Sequence, residues 1–172
     1  MDLRPMKIFR LTFIGALMLF ISCTQGEQSN DKSQAETKIE NDEIVADKPA
    51  IALQFINSYV ENSNKMKDAV SIAEWIQSNE QASTTLKTEL KRIVDEADPE
   101  LGLEADPLFD AQDYPEKGFE LESFDEQTNF LIVKGKGQPD FKLSMKLVQE
   151  NNKWLVEGCG IVNIPENKRI KR

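Results

Sequence analysis

Residues 98–119 read DPELGLEADPLFDAQDYPEKGF, and the fold is decided by what lies on either side of them. The stretch holds seven carboxylates (Asp98, Glu100, Glu104, Asp106, Asp110, Asp113 and Glu116) and three of the seven prolines. Its apolar residues keep neither a helical nor a strand period. An irregular segment of this length inside a domain is usually functional or packed against itself. It divides a helical half of the chain from a β half.

Upstream, Asp47-Lys48-Pro49 reads as a helix start, with Asp as N-cap and Pro in the first turn, where its missing N–H costs nothing. Leu53, Ile56 and Val60, with Phe55 and Tyr59 beside them, predict a helix from Pro49 to Asn62, ended by Asn62-Ser63-Asn64. Lys67 to Ser78 predicts a second, short helix. Leu86, Leu90, Ile93, Val94 and Ala97 form one helical stripe, capped by Thr84 or Thr85 and stopped at Asp98-Pro99. Downstream, four strands are expected: Phe119–Phe124, Phe130–Gly135, Phe141–Leu147 with strict alternation, and a longest one from Trp154 to Ile164. The links are hairpin-like: 125–129, 136–140 with Gly137 and Pro139, and 150–153 with two asparagines. Helices followed by an antiparallel meander give an α+β domain over 49–165, with N-terminal helices packed on a curved sheet. Residues 166–172 read as a solvated basic tail.

Ahead of the domain, Arg4, Lys7 and Arg10 precede an apolar run from Leu11 to Ile21, broken only by Thr12 and Gly15. A bilayer crossing needs about 20 apolar residues, so this run predicts a signal-peptide core rather than a lasting span. Phe20-Ile21-Ser22-Cys23 then gives way at once to polar sequence. It resembles the lipobox of bacterial lipoproteins, with Ser22 as the small residue before the acylated Cys and Phe20 where Leu is usual. The implied organisation is a signal peptide (1–22), a lipidated Cys23 with a polar tether (23–48), and then the domain. The tether reads as a spacer, since Ile39, Ile44 and Val45 are its only large apolar residues. Loss of Met1–Ser22 removes three basic and one acidic residue and leaves 18 Lys+Arg against 29 Asp+Glu. That balance speaks against nucleic acid and against charge-driven binding to anionic lipid. The partners expected are the membrane, through the lipid, and a small molecule or envelope protein.

EADPLFDAQDYPEKGF, the strand meander and the ending WLVEGCGIVNIP resemble a family of bacterial envelope lipoproteins defined only as a domain of unknown function. That family is grouped with the nuclear-transport-factor-two-like folds, relatives of ketosteroid isomerase. The resemblance covers Ala50 to Pro165, and Asp106-Pro107, Asp110, Gln112-Asp113 and Trp154 are its distinctive residues. It implies a cone whose open end often holds a small molecule. It implies no reaction.

The chain has no histidine, which excludes His-based triads and His metal sites. Asp106, Asp110 and Asp113 could supply oxygens to calcium, which takes about six to eight, but the Asp spacing and central Gly of an EF-hand are missing. Asp-Pro junctions instead favour Asx-turns, in which the carboxylate accepts nearby backbone N–H groups. Asp113 with Tyr114 is the pair that could act as in ketosteroid isomerase, as a carboxylate base beside an oxyanion donor. Cys159, between Gly158 and Gly160, reads as a buried thiol beside a bulge or close backbone approach. The candidate ligand-binding residues are therefore Asp106, Asp110, Gln112, Asp113, Tyr114 and Trp154, with no cofactor, no metal and no catalysis expected. A toxin-immunity role is the main alternative to a ligand-binding one.

Overall fold

A computed structural model describes residues 47–171. The expected signal peptide (1–22), Cys23 and the expected tether up to residue 46 lie outside the described residues. Three helices precede a four-stranded antiparallel sheet of order β1-β2-β3-β4, an α+β architecture.

Helix α1 (Lys48–Ser63) starts as its sequence dictates: the Asp47 carboxylate accepts from the Ala50 N–H at 3.2 Å. Its buried face is Ala52, Phe55, Ile56, Tyr59 and Val60, with Leu53 half-buried at its margin. Asn62 is buried at the helix end, where its carboxamide exchanges two hydrogen bonds with Val70 and fixes the turn that follows. The predicted second helix is split into a 3-10 turn (Met66–Asp68) and α2 (Ile72–Ser78), which is capped by Ser71. Helix α3 (Thr84–Asp95) is capped by Ser83 rather than by either threonine. Ser83 Oγ accepts from Leu86 N–H, and the Ser83 N–H donates to the Val156 carbonyl, so this cap is also tied to the sheet.

The strands are β1 (Phe119–Asp125), β2 (Phe130–Gly135), β3 (Gln138–Glu150) and β4 (Lys153–Cys159). Phe119, Leu131, Val133, Leu143, Met145, Leu147 and Val156 meet α1 and α3 in one core. At the start of β1, Asn57 stands in for a neighbouring strand. Its carboxamide accepts from the Phe119 N–H at 2.7 Å and donates to the Phe119 carbonyl at 3.1 Å. The turn between β3 and β4 places both Asn151 and Asn152 at positive φ, which asparagine tolerates better than most residues.

Three expectations need correction. The longest strand is β3, with 13 residues, because the β2–β3 turn uses only Lys136 and Gly137 and so leaves Pro139 within the strand. Strand β4 ends at Cys159, since Cys159 and Val162 exchange backbone hydrogen bonds and fold the chain back at Gly160. The C-terminal segment is pinned rather than frayed. A 3-10 turn (Glu166–Lys168) brings the Lys168 carbonyl within 2.5 Å of Ser144 Oγ, and Arg169 donates to the carbonyls of Ile161 and Ile164. The Lys168 ammonium lies 5.5 Å from the centre of the Phe130 ring on the outer sheet face, a contact that favours this docking.

Candidate functional site

The loop between α3 and β1 takes its shape from its Asp-Pro junctions. Asp98 accepts from the N–H groups of Glu100 and Leu101, and these bonds hold its carboxyl below the usual range. Asp106 Oδ1 accepts from Leu108 N–H at 2.8 Å and Phe109 N–H at 3.0 Å, the expected Asx-turn. Its other oxygen accepts from the Tyr59 hydroxyl at 2.5 Å. Burial raises the Asp106 carboxyl above its ordinary value, against the lowering effect of the Tyr59 and backbone hydrogen bonds. Burial, and then the charge of Asp106, hold Tyr59 well above the tyrosine range, so the phenol remains the donor.

That turn drives Leu108 and Phe109 into the core. Phe109 lies between Tyr59 and Tyr114, at centroid distances of 4.9 and 4.8 Å, and Trp75 continues the column on the far side of Tyr59. The chain reversal after β4 clamps the same turn. Ile161 N–H donates to the Pro107 carbonyl, and Cys159 Sγ lies 3.4 Å from the Leu108 carbonyl oxygen. A Cβ on Gly160 would fall 2.4 Å from the Pro107 oxygen, so the close approach requires glycine. Cys159 is fully buried, and its thiol is pushed up by burial and then by Asp106.

Beyond Phe109 the loop meets the β2–β3 hairpin. A Cβ on Gly135 would lie 2.5 Å from Pro115 Cγ, and the Lys136 N–H donates to the Gly118 carbonyl. Above this junction opens a groove of about 500 Å³, lined by Asp113, Tyr114, Glu116 and Lys117 from the loop and Lys136–Gln138 from the hairpin. One face of the groove is the Tyr114 side chain, which is stacked on Phe109 with the ring planes 13° apart. Tyr114's hydroxyl is raised above its ordinary value by burial and by the charge of Glu116.

Of the six ligand-binding candidates, the structure brings only Asp113 and Tyr114 together in this groove. Asp106 is a shaping residue below it. Asp110 occupies a positive-φ position (φ 53°) in the turn, and Gln112 donates to the Glu104 carbonyl on the exposed side of the loop. Trp154 is at the other end of the sheet, half-buried beneath the Lys48 ammonium at 4.1 Å. Lys48 also donates to Asn129 Oδ1, so the start of α1 is fixed at the end of β2 remote from the groove. The sequence reading missed Glu116, Lys117 and the hairpin residues as groove walls, and Tyr59 as the partner of Asp106. Only the turn character of Lys136-Gly137 had a local signal. Among the described residues, no three acidic or thiol side chains converge in a way that could hold a metal ion. No helix among them is long and apolar enough to cross a membrane. The chain matches no protein-family model, no curated protein and no solved structure.

Proposed function

We propose that this chain is a lipid-anchored envelope domain that binds a small ligand, or a segment of an envelope protein, in the groove between the acidic loop and the β2–β3 hairpin. The lipobox-like Phe20-Ile21-Ser22-Cys23 is the support for the anchor. The groove itself is the observation that carries the binding role: its volume falls within the roughly 300–1,000 Å³ of small-molecule sites. Helix α1 runs from Lys48 to Ser63, and the side chain of Asn64, its C-cap, donates to the Glu116 carbonyl beside the groove. Sixteen residues of helix put about 24 Å between those ends.

A binding role fits the chemistry better than catalysis. The part-buried Tyr59–Asp106 pair is committed to holding the loop, and neither residue lines the groove. Asp113 and Glu116 are solvent-exposed, whereas a ketosteroid-isomerase-like carboxylate works in a dry, apolar site. Anchoring is tested by fractionation: Cys23→Ser should move the full chain from membranes to the soluble fraction, and continued membrane association would remove the lipid from the proposal. Binding is tested by hydrogen exchange of the full chain with and without envelope extract. Slowed exchange confined to 113–117 and 136–138 is expected, and slowing elsewhere alone would refute the groove as the site.

A further inference from the structure

The groove is lined by two carboxylates, Asp113 and Glu116, and two ammonium groups, Lys117 and Lys136. Among the described residues, none of the four forms an ion pair. The sheet nearby behaves differently: Lys134 pairs with Glu120, Lys142 with Glu122 and Lys146 with Glu157. Both signs of charge thus stand unpaired around one opening, with Asp113, Glu116 and Lys117 on the loop wall and Lys136 on the hairpin wall. The four charges cancel, although the whole chain carries a formal −9. A purely anionic ligand would meet the two acids, and a purely cationic one the two lysines. A ligand carrying both signs pairs with all four. We infer that the groove accepts a zwitterionic ligand, with a free ammonium for Asp113 and Glu116 and a free carboxylate for Lys117 and Lys136. A short peptide with both ends free has this chemistry, and its termini lie within about 10 Å of each other for three residues.

The Tyr114 ring adds an apolar surface to the same groove and is stacked on Phe109. Gln138 supplies an amide that can bond a peptide backbone from the hairpin side. Charge-assisted hydrogen bonds of this kind are shorter and stronger than neutral ones, and at an exposed site they weaken with salt. The assignment rests on the proposed use of the groove as the binding site, and it adds the class of ligand.

The test uses the full chain and three probes: trialanine, N-acetyl-trialanine and trialanine amide. Affinity is read by calorimetry and location by hydrogen exchange. Free trialanine should bind at least about tenfold more tightly than either capped form, about 1.4 kcal/mol, with slowed exchange at 113–117 and 136–138. Lys117→Gln with Lys136→Gln should abolish the preference over the amide. Asp113→Asn with Glu116→Gln should abolish the preference over the acetylated form. All four side chains are exposed, so these variants leave the core intact. Equal binding of capped and free probes within the groove would overturn the zwitterion assignment and leave the groove reading standing. Protection by no probe at millimolar concentration, with envelope extract still protecting the groove, would overturn it in the same way. Protection by neither probes nor extract would overturn both.

Discussion

Replacing Asp106 separates the structural work of the acidic loop from its chemistry. Asp106→Ala removes the acceptor of three hydrogen bonds: two from the Leu108 and Phe109 N–H groups and one from Tyr59 Oη. Leu108, Phe109 and Tyr59 are all buried, so water cannot easily replace the lost acceptor. Each stranded donor costs about 1–3 kcal/mol, and removing the desolvated charge returns part of that. A net loss of about 3 kcal/mol follows. For a domain of roughly 125 ordered residues, about 2.1 cal/mol/K per residue turns this into a fall in Tm of about 11 °C. Asp106→Asn is the control. Its carbonyl can keep both backbone bonds and its amide can donate to the Tyr59 oxygen, which leaves only the phenol hydrogen without its acceptor, so a loss of about 1–2 kcal/mol is expected.

The comparison also has a pH signature. The folded-state pKa of Asp106 lies above its ordinary value, so the native chain holds this proton over a window in which the unfolded chain has lost it. The stability it contributes is complete below the unfolded value, about 3.9, and declines as pH rises through the folded one. The wild type should therefore lose stability relative to Asp106→Asn on going from about pH 4 towards neutrality. Thermal melts of the three chains across that range decide the matter. An alanine variant melting within about 3 °C of wild type, or an asparagine variant falling as far as alanine, would refute the hydrogen-bond account. A wild-type advantage that grows with pH would refute the burial account.

Gly160→Ala should cost more than about 2 kcal/mol in denaturant melts, because its φ of 62° and two backbone oxygens within 2.5 Å both oppose a side chain. Gly137→Ala, at φ 79° but with no atom closer than 3.9 Å, should cost only about 1–2 kcal/mol, and equal costs would contradict the clamp. Cys159 should react with a thiol reagent at pH 8 only at the rate of global unfolding, as its full burial and raised pKa require; rapid labelling of the folded chain would refute its burial. Truncation after Pro165 removes the Ser144 and Arg169 hydrogen bonds and should lower stability by about 1–2 kcal/mol in chemical denaturation, whereas a frayed tail would leave it unchanged.

What could be read in advance was local. The α3 stripe at Leu86 and Leu90, the alternation through Leu143 and Met145, and the Asp-Pro turns each rest on residues a few positions apart. What escaped was set by long-range contact. Nothing near Asp106 announces Tyr59, 47 positions earlier, and nothing near Asp113 announces a wall supplied by Lys136. The end of β4 escaped for the same reason: Gly160 marks a reversal only because the Pro107 carbonyl is waiting there. The tail read as frayed because its charges suggested solvent, yet Arg169 is the donor that satisfies two turn carbonyls.

These contacts divide the acidic stretch into two parts with different roles. Asp98 and Asp106 spend their carboxylates on backbone N–H groups, and Asp106 also locks Phe109 into the aromatic column that runs from Trp75 to Tyr114. Asp113 and Glu116 form no such bonds and face the groove, held there by Tyr114 on the column and Pro115 against Gly135. The first pair therefore shapes the loop, and the second is left free to meet a ligand. On this division, substitutions at Asp106 act on stability and reach the groove only through Phe109 and Tyr114. Substitutions at Asp113 and Glu116 act on binding with little change in melting. The acids of one loop are thus separable by the two measurements, although their spacing in the chain gives no hint of the boundary between them.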